Sequence, residues 1–157
     1  MKNDGFSLIE VMVAMVISGV ALMGALGAVE VSSRHVQQGG LNNKAIELAQ
    51  ARLEAKRSIR WQSLLEDDLD RDGIPETFMT DDGQGSDIIA RDGVYTARHE
   101  RDGVTVVWTI EAERPGPPLS AAMVMIRAVA SYSGLNGHKR EVQMATIRAN
   151  PNFVGQQ

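Results

Sequence analysis

The chain has no cysteine among its 157 residues. This absence excludes a disulfide framework, a thiolate zinc site and a cysteine nucleophile, so an exported domain with this sequence would be held by its apolar core or by a metal. Aromatic residues make up only 4% of the chain. Lysines and arginines are interspersed with acids, as in Glu54, Lys56 and Arg57, which is typical of a solvated helix face. Because no basic cluster is present, the sequence predicts no nucleic-acid partner.

Motifs of catalysis are also missing. The three histidines lie far apart, and no serine lies in a Gly-x-Ser-x-Gly motif. Gly83 and Gly85 form too short a motif to cradle a phosphate. We therefore expect that the chain is not an enzyme.

A long apolar segment lies near the start of the chain, where almost every residue from Phe6 to Val31 is apolar or small. The stretch from Phe6 to Val29 would form a helix of about 36 Å at about 1.5 Å per residue. Because the hydrocarbon core of a bilayer is about 30 Å thick, the segment is long enough to span it. Glu10 is the one charge in this stretch, and an acid at membrane depth costs about 2.5–3.5 kcal/mol on insertion scales. Such a residue indicates a functional site.

Two ordinary interpretations of this segment explain less. A secretory signal peptide has an apolar region of about 7–15 residues, which is shorter than the segment found here. Ala25-Leu26-Gly27 only loosely resembles a cleavage site, and Asp4 offsets the charge of Lys2. A plain membrane anchor explains the apolar run, but neither Glu10 nor the lack of basic flanks.

The ten residues from Gly5 to Ala14, GFSLIEVMVA, resemble the prepilin signal of type IV pilins and type II secretion pseudopilins. The pattern of that family is a short polar leader ending in Gly, then Phe or Met, then an apolar run interrupted by one Glu. The resemblance implies that a membrane prepilin peptidase cuts between Gly5 and Phe6 and methylates the new amine of Phe6. It also implies that Glu10 neutralises the N-terminal amine of a neighbouring subunit in a filament.

Elementary chemistry agrees with these roles. Gly5 has no side chain, so its peptide bond can enter a deep protease site in an exposed conformation. Cleavage would create an α-amine on Phe6 with an ordinary pKa of about 7.7–8.0. An unpaired buried charge is costly, so a pair between this amine and Glu10 of another subunit would couple insertion to the correct register.

A second motif indicates a subfamily within this resemblance. Residues 45–54, with a Leu-Ala pair followed by Glu54, are similar to PilV-type minor pilins and to the related minor pseudopilins. The expected partners are the lipid bilayer before assembly, prepilin peptidase, an inner-membrane assembly platform, and other major and minor pilins. The expected location is the inner membrane, with the head in the periplasm, and then a pilus filament at the cell surface. A minor pseudopilin of type II secretion and a bitopic calcium-dependent binding protein outside any filament remain alternatives.

The chain divides by pattern into a leader and three further parts. We expect a leader at residues 1–5, a spanning helix at 6–31, an amphipathic helix at 32–65, and a β-rich head at 66–157 with an acidic loop at 66–87. The amphipathic part repeats Ile46, Ala49 and Leu53 at helical spacing, and no proline precedes Pro75. The helix could thus run from Phe6 to near Leu65.

Four strand candidates follow the acidic loop. Val104–Ala112 alternates clearly, with Val104, Val106, Trp108, Ile110 and Ala112 on one face. Two hairpins are expected, one around Arg101-Asp102-Gly103 and one around Asn136-Gly137. The four candidates are Val94–Glu100, Val104–Ala112, Ala122–Tyr132 and Arg140–Arg148. A long helix followed by antiparallel strands predicts an α+β fold.

The acidic loop contains alternating carboxylates. Asp68, Asp70, Asp72 and Glu76 surround Gly73 in a pattern that resembles the first half of a calcium loop and the Asp-rich repeats of thrombospondin type 3 modules. The pattern departs from an EF-hand, since the twelfth position carries Met79, for which Asp81 or Asp82 could substitute. We expect a Ca²⁺ site here, with a simple solvated acidic loop as the alternative.

Overall fold

The computed structural model describes residues 7–70, 72–134 and 137–153. The expected cleavage site between Gly5 and Phe6 lies outside these residues. The chain divides into two compact units, residues 1–39 and 40–157. The helix α1 (Leu8–Ser58) begins in the first unit and ends in the second.

In the first unit, α1 presents apolar side chains to solvent on every side. The side chain of Leu8 is 81% exposed and that of Met23 is 76% exposed. By length and composition, α1 is able to cross a membrane. A soluble helix would bury its apolar residues, so this surface needs lipid or other apolar helices around it.

The helix ends earlier than its sequence pattern predicts. We expected helical structure to near Leu65, but α1 ends at Ser58 and a short 3₁₀ helix follows at Trp61–Ser63. Arg148, from the last strand, donates hydrogen bonds to the carbonyl oxygens of Lys56, at 2.6 Å, and of Ile59. Two of the carbonyls that the end of a helix leaves unpaired are thus capped by a distant side chain.

The head contains a four-stranded antiparallel sheet in which the strands lie side by side in chain order. All four strand predictions are confirmed, with small shifts at the ends. The strands are β3 (Val94–Arg101), β4 (Val104–Ala112), β5 (Met123–Ser133) and β6 (Lys139–Ala149). Two short strands, β1 (Glu66–Asp67) and β2 (Thr77–Phe78), form a separate antiparallel pair.

The core lies between one face of the sheet and residues 41–58 of α1. Four apolar residues of α1 are buried, at the helical spacing expected of one face: Ala45, Leu48, Ala49 and Leu53. The alternation predicted for β4 is confirmed, because Trp108 and Ile110 are fully buried while Thr109, between them, is only partly buried. The fold is α+β, as expected.

Polar contacts join α1 to the sheet near the start of residues 41–58, the part of the helix that packs on the sheet. Asp102 and Gly103 form the two-residue turn between β3 and β4, both with positive φ, as in the turn type that Asp-Gly favours. Asp102 forms an ion pair with Lys44 of α1. The Tyr132 hydroxyl of β5 donates a hydrogen bond to the side-chain oxygen of Asn42 at 3.1 Å.

Candidate functional sites

The start of α1 carries both the predicted assembly residue Glu10 and a helix cap. The backbone N–H of Glu10 lies 3.0 Å from the carbonyl oxygen of Ser7 and 3.4 Å from its hydroxyl oxygen. Ser7 and Glu10 have the spacing of a capping box, in which the serine caps the helix and the acid three residues later supports the cap. No ion pair joins Glu10 to another residue within 7–70. Glu10 therefore has the position of the acid in a capping box, and its pairing with another subunit stays a prediction.

The glycines of the apolar segment leave open space beside the helix. A Cβ added at Gly19, Gly24 or Gly27 would meet no other described atom within 4 Å. Packing within the described residues therefore gives no reason for glycine at these positions. In membranes, small residues allow a second helix to approach closely.

The acidic loop projects from a closed base made of β1 and β2. Glu66 pairs with Phe78 and Asp67 with Thr77. A further backbone hydrogen bond of 2.8 Å runs from Met79 to Leu65. Because this ladder holds both ends of residues 68–76 close together, the loop between them is short and closed.

The structure brings together the four carboxylates that the sequence predicts as metal ligands. Asp68, Asp70, Asp72 and Glu76 each offer one oxygen atom, and these four oxygens lie within 4.8 Å of one another. Asp68 accepts a 2.8 Å hydrogen bond from the backbone N–H of Gly73, whose φ of 92° favours glycine. Such a group of carboxylate oxygens fits a hard cation such as Ca²⁺, which takes 6–8 oxygen ligands.

Electrostatic repulsion acts within this cluster. The backbone hydrogen bond from Asp72 lowers the pKa of Asp70, but desolvation and the negative charges of Asp72, Glu76 and Asp68 outweigh it and raise the pKa above its ordinary value. A bound cation would relieve this repulsion, because it replaces like-charge contacts with favourable ones.

A second group of three acids was not predicted. Asp81, Asp87 and Asp92 also have carboxylate oxygens within 4.8 Å of one another. Asp81 accepts a hydrogen bond of 2.9 Å from the backbone N–H of Gly93, and Asp87 accepts one of 2.6 Å from that of Gly83. Asp81 therefore belongs to this group, and the expectation that it could complete the first site is not supported.

Lys56 is buried, so the prediction that it lies on a solvated helix face was wrong. Its side chain is 1% exposed and its ammonium lies 2.9 Å from the Oδ2 of Asp67, which is 3% exposed. The ammonium also donates hydrogen bonds of 2.8 Å to the carbonyl oxygens of Leu64 and Glu66. The Trp108 indole donates to the same Asp67 oxygen at 2.9 Å. All three ammonium hydrogens thus have an acceptor, as a buried charge requires.

This network connects three elements of the head. Lys56 lies on α1, Asp67 in β1 and Trp108 in β4. Burial lowers the pKa of Lys56 and raises the pKa of Asp67, while their mutual attraction opposes both shifts. Because Asp67 directly precedes Asp68, the pair fixes the base of the acidic loop against the helix.

The N-terminal segment is the part of the chain that matches a known family model. Residues 1–26 match a family model described as the prokaryotic N-terminal methylation motif. The match includes Gly5, Phe6 and Glu10, the residues on which the resemblance to prepilins depends. The chain thus carries a prepilin-type motif on a helix able to cross a membrane, followed by an α+β head. No curated protein and no solved structure matches the chain.

Proposed function

We propose that this chain is a minor pilin of a type IV pilus, processed by prepilin peptidase and then inserted into the filament or used to prime its assembly. The match of residues 1–26 to the N-terminal methylation motif carries this proposal. Prepilin-type cleavage would remove only the leader and keep the apolar helix, as a subunit that moves from the bilayer into a filament requires.

The described part of α1 supports a role as a filament subunit. Its apolar side chains are exposed, so they must be covered first by lipid and later by other helices. Gly19, Gly24 and Gly27 leave space for a neighbouring helix to approach. Glu10 offers the negative charge that the methylated amine of another subunit would need.

The decisive experiment determines the mature N-terminus by mass spectrometry of the chain purified from a piliated cell. A chain that begins at Phe6 with a methylated amine supports the proposal, and the Gly5→Val variant, with a branched Cβ beside the scissile bond, should stay uncut. A terminus at Ala28 would indicate ordinary signal peptidase, and an intact Met1 in a cell with active prepilin peptidase would contradict the proposal.

A minor pseudopilin of type II secretion shares the same N-terminal chemistry. Sheared pili that contain the chain favour the pilus, while a signal confined to the envelope of a secreting cell without pili favours the pseudopilin. A bitopic calcium-dependent binding protein would stay in the membrane, and loss of the chain would leave piliation unchanged.

We also propose that the acidic loop binds Ca²⁺ through Asp68, Asp70, Asp72 and Glu76. The meeting of four carboxylate oxygens within 4.8 Å supports this proposal. Backbone carbonyls and water would have to complete the coordination, since Ca²⁺ takes 6–8 oxygens. Affinities of about 10⁻⁴–10⁻³ M are typical of extracellular modules, so the site would respond to Ca²⁺ outside the cytoplasm.

A further inference from the structure

A compact loop at residues 81–93 connects β2 to β3 and is closed at its base. Just outside the loop, Thr80 and Thr96 exchange two backbone hydrogen bonds of 3.1 and 2.8 Å. At its ends, the side chain of Asp81 accepts a hydrogen bond of 2.9 Å from the backbone N–H of Gly93. The two ends therefore lie side by side, as in the Ω-loops that frequently carry function.

The middle of the loop is closed by a second set of contacts. Asp87, which is 7% exposed, accepts a hydrogen bond of 2.6 Å from the backbone N–H of Gly83. Gly83 has a φ of 72°, and a Cβ at this position would lie 2.9 Å from the Cβ of Ala90. The two sides of the loop thus meet at a position that requires glycine, and residues 84–89 form a closed turn between them.

Two adjacent isoleucines of this turn face solvent. The side chain of Ile88 is 90% exposed and that of Ile89 is 59% exposed. Leu8, in the apolar segment of α1, is less exposed than Ile88, at 81%. Neighbouring apolar side chains that a closed turn holds in water are unfavourable, so they indicate a surface that another molecule covers.

The loop also has an excess of negative charge. It contains one arginine, Arg91, and four aspartates, which are Asp81, Asp82, Asp87 and Asp92. Asp82 and Asp92 accept hydrogen bonds from the backbone N–H groups of Gln84 and Val94, which carry no net charge. No ion pair joins any of the four aspartates to a cation in the part of the chain that the structure describes. The negative charge of the loop is therefore available to a partner.

We propose that the 81–93 loop inserts Ile88 and Ile89 into an apolar pocket of a partner protein whose rim carries lysine or arginine side chains. A few buried anchor side chains carry most of the affinity of an interface, and complementary charges around them add specificity. An anionic bilayer surface has the same sign of charge as the loop and would repel it. The inference goes beyond the proposed function, because it does not require a filament.

Site-specific cross-linking of the full-length chain, in cells that express it, tests the proposal. The chain has no cysteine, so Gln84→Cys introduces a single thiol on the exposed part of the loop, and this thiol can carry a photoreactive group. The control Gln143→Cys places the same group on β6. We expect an adduct with another protein from position 84 that is absent from position 143. Peptide mapping should place the adduct at apolar residues that lie beside lysine or arginine.

Variants of the isoleucines test whether they are the anchor. In the Gln84→Cys background, Ile88→Ser/Ile89→Ser should lower the yield of the adduct about tenfold or more, because the buried apolar area is lost. The control Ile74→Ser removes an isoleucine outside the loop that is 67% exposed, and it should keep the adduct. Since all three side chains are exposed, the melting temperature of the detergent-solubilised chain should stay at the wild-type value in both variants.

Variants of the aspartates test the basic rim. Asp82→Asn/Asp92→Asn removes two negative charges, while the amide oxygens can still accept the same backbone hydrogen bonds. We expect a lower yield of the adduct, and a yield for the unchanged loop that falls as salt is added to isolated envelopes, because salt screens exposed charges. The control Glu47→Gln/Glu54→Gln removes two negative charges from α1 and should keep the adduct.

Several results would overturn the proposal. They are the absence of a protein adduct at position 84, an equal adduct at position 143, and an adduct that survives Ile88→Ser/Ile89→Ser. An adduct with lipid or with a second copy of this chain also overturns it, because the occupant is then not the proposed pocket. An adduct that depends on neither salt nor the two aspartates excludes the basic rim.

Discussion

Lys56 and Asp67 place opposite charges inside the head, where each one depends on the other. Replacing one partner of such a buried pair leaves an uncompensated charge and destabilises a protein by about 3–5 kcal/mol. We expect Lys56→Met to have this effect, because the Asp67 carboxylate would keep only the Trp108 indole among the side-chain donors that the structure shows. Chemical denaturation of the detergent-solubilised chain measures the loss.

The double variant Lys56→Met/Asp67→Leu is the matched control. It replaces both charged side chains with apolar ones, a change that is often neutral or stabilising where the replacements pack well. We expect it to regain most of the stability lost in the single variant. If the double variant is as unstable as the single one, the lost hydrogen bonds to the carbonyl oxygens of Leu64 and Glu66, and not the unpaired charge, are the important contribution.

Asp102 gives a prediction on pH. The hydrogen bond and the positive charge of Lys44 lower the pKa of Asp102 in the folded state. A carboxyl group with a lowered folded pKa stabilises the fold above its unfolded pKa of about 3.9, and this contribution is lost as the pH falls through the folded value. Both side chains are partly exposed, so the effect on stability is small.

Carboxyl-carbon NMR titration measures this shift directly. We expect the pKa of Asp102 to rise in Lys44→Met, while Lys139→Met, which removes a lysine from another ion pair, leaves it unchanged. An equal shift in both variants would indicate a general change in net charge and not the contact with Lys44.

Among the elements of the head, the acidic loop is the one through which a bound ligand should most affect thermal stability. Ca²⁺ at about 100 times its dissociation constant would stabilise the folded state by about 2.7 kcal/mol through mass action. Mg²⁺ should have less effect, because it loses its water reluctantly and requires a tight octahedron. We expect a melting temperature that rises from EDTA to Mg²⁺ to Ca²⁺.

Two variants test whether the cluster of Asp68, Asp70, Asp72 and Glu76 causes this order of melting temperatures. Asp70→Asn/Asp72→Asn removes two charges from the cluster and should abolish the effect of Ca²⁺. Asp82→Asn, outside both clusters, removes a charge and should retain it. Equal melting temperatures in EDTA, Mg²⁺ and Ca²⁺ would leave only a solvated loop, and loss of the effect in Asp82→Asn would indicate a response to net charge alone.

The strands of the head could be predicted from the sequence because alternation is a local signal. The end of α1 could not, since no glycine or proline follows Ser58 closely and the capping Arg148 is 92 positions away from Lys56. Burial of Lys56 escaped prediction for a similar reason, because its acceptors come from the segment after the helix. The regular spacing of Asp68, Asp70 and Asp72 indicated one cluster, whereas Asp81, Asp87 and Asp92 have no regular spacing.

For the whole molecule, the proposed function requires two environments, the bilayer and the filament. The exposed apolar surface of α1 would contact lipid in the first and other helices in the second. Under this proposal Glu10 is unfavourable in the first environment and useful in the second, since an acid at membrane depth is costly unless it is paired. The same residue also has the position of the acid in a capping box with Ser7.

Substitution with glutamine separates these two roles of Glu10. Glu10→Gln removes the charge, while glutamine can still serve in a capping box. We expect the variant to remain in the membrane, because its insertion cost falls, and to be depleted from sheared filaments, because the amine of a neighbouring subunit loses its counter-charge. Ser7→Ala, which weakens the cap and keeps the charge, should enter filaments at nearly the wild-type level. Immunoblots of sheared and envelope fractions measure both variants. Normal incorporation of Glu10→Gln together with depletion of Ser7→Ala would mean that Glu10 acts through the helix cap and not through a pair between subunits.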